Sequence, residues 1–350
     1  MTRDPCVDGA ARQRQTRIDD NPPTMTVPLV ATAIAHPNIA LIKYWGKRDV
    51  AENLPAVGSL SVTLDAMCSR TRVCFEPGRK GDSVRLNGRE DAGAASRISA
   101  CLDLLRRRAG VGHGALVDTD NDFPTAAGLA SSASGFAALV TAAAAALGLD
   151  LPARELARVA RLGSGSAPRS LFGGFVVLRN APDGDVAVEP LLPAPAWPLR
   201  VVIAIVATAP KETGSRDGMA ASRATSPYYG EWLRSHDADL EAGLRGVRDR
   251  DFAALAGVAE HNCLKMHAVM LTTRPPLIYW SPTTLACLQL VQSLRRAGTP
   301  VFFTIDAGPQ VKAVCEPGAA ALVRDALAAV PGVMQVIDSG LGPGAHCTDG

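Results

Sequence analysis

The sequence predicts an α+β protein built in two halves, and three observations carry that expectation. Strand-like and helix-like runs follow one another without the regular alternation of a parallel α/β fold. The chain has 350 residues, beyond the roughly 250–300 at which a single hydrophobic core stops growing. Near its middle, residues 190–198 (PLLPAPAWP) place four prolines in nine positions, the composition of a linker between two halves.

Each element can be justified in chain order. Residues 29–35 read as a strand that leads into HPNIALIKYWGKRD, and residues 59–64 (SLSVTL) alternate polar and apolar side chains as a half-buried strand does. TRVCF at 71–75 reads as another strand, and Asn87-Gly88 in GRKGDSVRLNGRE marks a tight hairpin. Residues 94–109 are amphipathic, with Ile98, Cys101, Leu102 and Leu105 on one face and Gly110 to end the helix. A strand near 114–119, a Gly/Ser loop, an uncharged helix and a helix over 152–162 come next. GSGSAPRSLFGGFVVLRN reads as a loop, a helical turn and a strand, and LRVVIAIVATA as a strand covered on both faces. Helices are expected over 217–235, 237–247, 250–270 and 281–297, with VFFTID and MQVID as further strands and a glycine-rich end. No internal repeat is visible.

Composition narrows the function. Hydrophobic residues make up 47%, charged residues 20%, and 36 Lys plus Arg against 34 Asp plus Glu leave a net charge of +2. That excludes a disordered chain and gives no reason to expect a protein that coats nucleic acid. Aromatics at 5% also argue against a stacking platform for single strands. Eight cysteines without a C-x-x-C pair or zinc spacing read as reduced thiols, which points to the cytoplasm. Residues 1–24 are polar, lack the apolar stretch of a secretory signal, and are expected to be a disordered extension or the product of an upstream start before Met25. Residues 125–149 carry no charge, but their Ala, Gly, Ser and Thr content drives membrane insertion weakly, so a buried small-residue helix is expected and no membrane association.

Four segments carry chemistry. In PTAAGLASSASGFAA (124–138) a small-residue loop opens into a helix, where free N–H groups and the positive end of the helix dipole can hold phosphate. Ala127, Gly128, Leu129, Ala130, Ser131, Ser132 and Ser134 make up this candidate site, and the serine hydroxyls could bond a phosphate or Mg²⁺. The motif is neither a Walker nor a Rossmann glycine pattern, and a tightly packed helix start is the other reading. Lys43 and Lys47 flank Tyr44 and Trp45 in an apolar setting, which suits a grip on a polyanion better than surface decoration; on a helical turn they would share one side. Arg169 and the serines of GSGSAPRS offer an anion clamp, with a flexible turn as the alternative. Asp306, ending an apolar strand before Gly308-Pro309, stands where an acid/base group would be displayed, although a turn-capping Asp is common. His267 on an apolar helix reads as a satisfied core histidine.

Together, NIALIKYWGKRD, PTAAGLASSASGFAAL, GSGSAPRSLFGGF and TIDAGP resemble the GHMP kinase superfamily and, within it, the diphosphomevalonate decarboxylase family, from about Ala31 to Gly308. The resemblance implies a two-domain GHMP kinase fold: an N-terminal domain over 25–197 akin to ribosomal protein S5 domain 2, a C-terminal domain over 198–342, and a tail over 343–350. It implies ATP and Mg²⁺, ATP-dependent decarboxylation of mevalonate 5-diphosphate to isopentenyl diphosphate, and a homodimer. By the same resemblance Asp306 and Arg169 are catalytic, with Asn38 and Lys43 beside the reacting groups. Tyr44, Lys47, Arg70, Ser164, Ser166 and Ser215 bind substrate, residues 127–132 and Ser134 bind the ATP phosphates, and Ser132 also meets Mg²⁺. Asn262 and His267 match the family run N-x-L-x-M-H-A. The chain departs from the family at Val57-Gly58-Ser59, Pro168, Arg216 and Gln310, which touches the choice between one substrate phosphate and two. A phosphomevalonate decarboxylase, a mevalonate 3-kinase and a non-catalytic relative that binds isoprenoid precursors are the alternatives.

Overall fold

The computed structural model describes residues 27–123, 131–209 and 211–348. The expected extension over 1–24 and four of the expected phosphate-loop residues, Ala127 to Ala130, lie outside the described residues. The first half runs β1 (Leu29–Ala35), β2 (Asn38–Ile42), β3 (Lys47–Asp49), β4 (Leu54–Pro55), β5 (Ser59–Thr63), β6 (Ser69–Phe75), β7 (Ser83–Leu86), β8 (Arg89–Glu90) and α1 (Ala92–Ala109). It continues with β9 (Ala115–Asn121), α2 (Ser131–Ala146), α3 (Ala153–Gly163), the single turn α4 (Ala167–Ser170), β10 (Phe175–Asn180) and β11 (Val186–Leu192). The second half runs β12 (Arg200–Ile205), α5 (Ser215–Thr225), α6 (Tyr229–Asp249), α7 (Phe252–Leu271) and α8 (Pro282–Arg296), then β13 (Val301–Thr304), β14 (Val311–Cys315), α9 (Ala320–Ala328), β15 (Gln335–Ser339) and β16 (His346–Thr348).

Three larger sheets and the two-stranded pair β3-β4 organise the described strands. A six-stranded sheet has the order β16-β1-β6-β9-β7-β8, and two four-stranded sheets have the orders β11-β10-β5-β2 and β13-β14-β12-β15. β16 pairs antiparallel with β1, so the glycine-rich end of the chain returns to the sheet of the first half. The helix α2 fits its uncharged sequence: Ala133, Phe136, Ala137, Val140 and Ala143 are buried, and the small side chains let the backbone lie close to the sheet. No described helix is long and apolar enough to cross a membrane. β12 is covered on both faces. Val201, Ile203 and Ile205 face a core shared with β2, β5, β10, α6 and α7, whereas Val202 and Ala204 face α8 and α9.

Several boundaries follow local chemistry. Helix α1 starts at Ala92 because the Asp91 carboxylate accepts from the N–H groups of Gly93 and Ala94 at 3.0 and 3.2 Å, and it ends on Gly110 at φ 66°. Its four expected core residues are buried. Asn87 and Gly88 adopt φ of 49° and 73°, the left-handed pair that a tight hairpin between β7 and β8 requires. The expected helices over 217–235 and 237–247 divide differently. The break falls at 226–228, where Pro227 lacks an N–H to continue the ladder, and α6 runs unbroken through His236, whose ring meets the Gly58 carbonyl at 2.9 Å. The proline-rich stretch is not a free spacer: its first residues complete β11, and Trp197 stacks on Phe175 with ring centroids 5.4 Å apart. β14 and α9 had no counterpart in the sequence pattern.

Candidate active site

Lys43 and Lys47 do not share a helical turn. β2 delivers the chain in extended form, residues 43–46 have no regular structure, and Gly46 turns at φ 103° into β3. The turn requires glycine twice over, because a Cβ there would overlap the Tyr229 hydroxyl. Asn262 on α7 fixes the start of this turn: its amide oxygen accepts from the Lys43 N–H at 2.7 Å and its amide nitrogen donates to Asp239 at 2.8 Å. The outcome is that Lys43 and Lys47 both line one cleft of about 630 Å³.

Asp306 follows β13 and enters the same cleft. Its carboxylate is gripped by two ammonium groups, Lys43 Nζ at 2.7 Å from Oδ1 and Lys312 Nζ at 3.2 Å from Oδ2. Both lysine side chains are 1% exposed, against 27% for Asp306. Burial alone would raise the Asp306 pKa, but the two ammonium groups outweigh it and hold the carboxyl well below the usual carboxylate range. Thr304 ties this strand end to β2 by donating to the Ala40 carbonyl at 3.2 Å.

The loop after α3 supplies a second wall. Ser164 lies 3.2 Å from Ser132 at the start of α2 and 3.2 Å from Ser166, so three hydroxyls are joined at the positive end of the α2 dipole. The turn α4 then sets Arg169, 4% exposed, against Ser59 Oγ at 2.5 Å. Burial pushes its guanidinium pKa down to about 10, so it stays charged at neutral pH. Asn38 bonds the Ser166 carbonyl at 3.2 Å and Ser170 Oγ at 2.7 Å, which fastens β2 to this loop. Among the described residues the buried Tyr44 hydroxyl has no hydrogen-bond partner, and burial pushes its pKa up to about 12.

A third wall comes from the second half. Lys211 donates to Ser215 Oγ and to the Ala307 carbonyl, both at 2.9 Å, and Arg216 follows Ser215 into the cleft. Gln310 bonds the backbone of Val206 and Ala207, so the loop carrying Asp306 is tied to the one carrying Lys211. His267 is a core residue as expected: it is 2% exposed, contacts the Ile305 carbonyl at 3.3 Å, and burial pushes its pKa down to about 3.

The structure therefore brings Asn38, Lys43, Tyr44, Lys47, Ser131, Ser132, Ser164, Ser166, Arg169, Ser215 and Asp306 to one cleft. Two expected residues are elsewhere. Arg70 lies on β6 between buried Ser69 and Thr71, so strand alternation turns it outward to solvent, where it reaches Thr348 at 3.5 Å. Ser134 is fully buried, one turn inside α2, and its hydroxyl is bonded to Ser69 at 2.7 Å. A further cation that the cleft does hold is Arg97 on α1, which donates to the Gly163 carbonyl at 2.9 Å and lies 5.1 Å from the Phe136 ring centroid. Burial first, then Arg216 and Arg97, lowers the Lys47 pKa, which marks these three cations as close neighbours. Arg97, Lys211, Arg216 and Lys312 were not expected as site residues. Its place directly after Ser215 could have drawn attention to Arg216, but nothing in the local sequence distinguishes Arg97 from the other arginines of its helix.

Comparison with known proteins adds independent findings. Residues 35–188 match the diphosphomevalonate decarboxylase-like N-terminal domain, and residues 201–335 match the mevalonate 5-diphosphate decarboxylase C-terminal domain. The diphosphomevalonate decarboxylase of Candida albicans is 38% identical over 297 residues, covering 80% of this chain and 82% of the relative. The Homo sapiens diphosphomevalonate decarboxylase is 39% identical over 306 residues, covering 81% and 76%. Among solved structures, mevalonate diphosphate decarboxylase from Staphylococcus aureus superposes with a TM-score of 0.87 at 38% identity, over 92% of this chain and 99% of that one. A structure of MDDEF in complex with MVAPP, AMPPCP and magnesium superposes with a TM-score of 0.85 at 39% identity, over 93% and 100%.

Proposed function

This chain belongs to the diphosphomevalonate decarboxylase family, and from that premise we propose that its cleft carries out the ATP-dependent decarboxylation of mevalonate 5-diphosphate to isopentenyl diphosphate, ADP, phosphate and CO₂. The observation that carries the reading is the pairing, in one cleft, of an ionised aspartate held by lysines with the cation group Lys47, Arg97 and Arg216. A substrate with a reacting hydroxyl and a distant diphosphate needs both.

The residues account for the chemistry in sequence. A tertiary hydroxyl is a weak nucleophile and hydroxide a poor leaving group, so the 3-oxygen is phosphorylated first. Asp306 is too weak a base to ionise the alcohol outright. It orients the hydroxyl and takes its proton as the bond to phosphorus forms and that proton becomes acidic. Lys43 and Lys211 stand beside it to offset the charge on the transferring group. The 3-phosphate then leaves, the bond between carbons 1 and 2 breaks to release CO₂, and its electron pair forms the alkene between carbons 2 and 3. Arg169 holds the departing carboxylate in line. Asn38 keeps the Arg169 loop against β2. Tyr44, Lys47, Ser164, Ser166 and Ser215, with Arg97 and Arg216 in the role expected of Arg70, anchor the distal diphosphate and spend its binding on alignment at carbon 3.

Mg²⁺ fits the donor set. The described residues hold no group of three His, Cys, Asp or Glu that could bind a metal by themselves. Joined serine hydroxyls beside one carboxylate suit a hard ion ligated mainly by nucleotide phosphates, and Ser132 would hold it. When bound, Mg²⁺ supplies neutralisation of phosphate charge. Ser131 and the N–H groups at the start of α2 face the same phosphates.

Residence in the cytoplasm, favoured by the free cysteines, and a homodimeric state belong to the same proposal; sedimentation of the pure protein checks the second. The reaction is tested by incubating the protein with Mg-ATP and, separately, mevalonate, its 5-phosphate and its 5-diphosphate. Equal amounts of CO₂ and ADP from the diphosphate alone are expected. ADP without CO₂ would identify a kinase instead.

A further inference from the structure

Lys312 is placed where β14 calls for an apolar residue. Register aligns it with Ile203 of β12 and Thr304 of β13, on the face that carries Val201, Phe302 and Val314 into the central core. Its side chain is 1% exposed and its ammonium lies 3.2 Å from Asp306 Oδ2. Burying an ammonium is costly, and an apolar residue of similar volume is usually at least as stabilising as a buried ion pair. Stability does not explain the choice either, because Asp306 already has Lys43 at 2.7 Å and a second ammonium leaves the buried group with a net positive charge. What the second lysine does provide is a fixed carboxylate, since each oxygen then has its own donor and rotation about the Cβ–Cγ bond is blocked.

We propose that Lys312 is a positioning residue of the reaction, acting from beneath the cleft to fix the orientation of the Asp306 carboxylate while the substrate hydroxyl bonds to it. The inference rests on the function proposed above. It makes no use of contact between Lys312 and substrate. The groups that face Asp306 are Lys43 from the end of β2, Lys312 from β14, Lys211 from the segment before α5, Arg169 from α4, and His267 and Cys263 from α7. With Lys312 gone, Lys43 is left as the one ammonium bonded to the carboxylate; losing an opposite charge at this distance raises a pKa by about 1–3 units, which from a value well below the usual carboxylate range leaves Asp306 ionised above pH 5 but with one oxygen no longer held.

The test is Lys312→Met and Lys312→Arg, with steady-state ADP and CO₂ formation followed from pH 5 to pH 8 and folding checked by thermal melting. For Lys312→Met we expect kcat to fall about 10–100-fold and KM for both substrates to stay within about threefold, with the same deficit from pH 5 to pH 8, because Lys43 keeps the carboxyl ionised across that range. Lys312→Arg recovers part of the loss. A folded Lys312→Met enzyme with wild-type turnover overturns the inference, as does a deficit unrelieved by arginine or one that lies in KM and not in kcat. If Lys312→Met does not fold, Lys312→Arg decides alone: turnover within about tenfold of wild type supports the role, and a folded variant without turnover overturns it. Wild-type protein that forms no ADP overturns the underlying function, an outcome visible before any variant is made.

Discussion

Arg169 is 4% exposed and donates to Ser59 Oγ at 2.5 Å, and among the described residues it makes no ion pair. A buried guanidinium satisfied by one hydroxyl retains its charge and most of its donors for a ligand, and a carboxylate is the group whose geometry matches it. Arg169→Gln should therefore lower CO₂ release by about 100-fold or more, and Arg169→Lys should not rescue it, because an ammonium cannot reproduce the planar fork. Single-turnover release of CO₂ checks both. An Arg169→Lys enzyme near wild-type rate would show that charge alone suffices.

Asp306→Asn keeps the shape of the side chain and removes its charge. Turnover should fall about 10²–10⁴-fold, while calorimetric affinity for substrate and ATP stays within a few-fold. The pH dependence has a definite sign. The folded pKa of Asp306 is depressed, so its ion pairs contribute stability above the unfolded value of about 3.9 and lose it only as pH falls through the lower folded value. No loss of kcat between pH 5 and pH 8 should trace to this carboxyl in the wild-type enzyme. An acid limb near pH 6 that Asp306→Asn abolishes would contradict the arrangement.

Arg97 and Arg70 offer a direct contrast. Arg97 lines the cleft beside Lys47 and Arg216, whereas Arg70 lies outside it on the solvent face of β6. Charge-assisted bonds are worth about 1.5–3 kcal/mol, so Arg97→Ala should raise KM for the diphosphate substrate about 10–100-fold. Arg70→Ala should leave it unchanged. Inorganic pyrophosphate, as a competitive inhibitor, should lose affinity in the first variant and keep it in the second. Equal effects from both substitutions would refute the assignment.

That contrast also shows where the sequence is legible and where it is not. Residues whose role is tied to a local motif, such as Asp306 after an apolar strand or Ser132 at a helix start, can be read from neighbours along the chain. Strand alternation was equally readable, and it places Arg70 outward once Ser69 and Thr71 are known to be buried. Arg97 and Lys312 are different: Arg97 is defined by contacts with residues far away in sequence, Gly163 and Phe136, and Lys312 by a contact with Asp306 that only the pairing of β13 with β14 creates. Lys312 even hid its own strand, since a charge in VKAVC breaks the apolar run by which a buried strand is recognised. Pro227 was visible, but hydrophobic periodicity alone could not say that the helix break falls there and not at His236.

Gly163 tests how tightly the serine loop depends on the packing beneath it. The residue closes α3, its carbonyl accepts from Arg97 at 2.9 Å, and Ser164 follows at once. A Cβ at this position would overlap the Phe136 ring, which is itself 5% exposed in the core beneath α2. The ring cannot swing away cheaply, because Arg97 stacks on it and the helix is packed on β1 and β6. Gly163→Ala should destabilise the fold by about 1–3 kcal/mol. The backbone shift that relieves the overlap would also carry Ser164 away from Ser132, so KM for ATP should rise as the melting temperature falls. Replacing Phe136 by Leu in the Gly163→Ala background makes room for the methyl group, and it should recover both properties together. Recovery of the melting temperature without recovery of KM would show that the loop is held by something other than this contact.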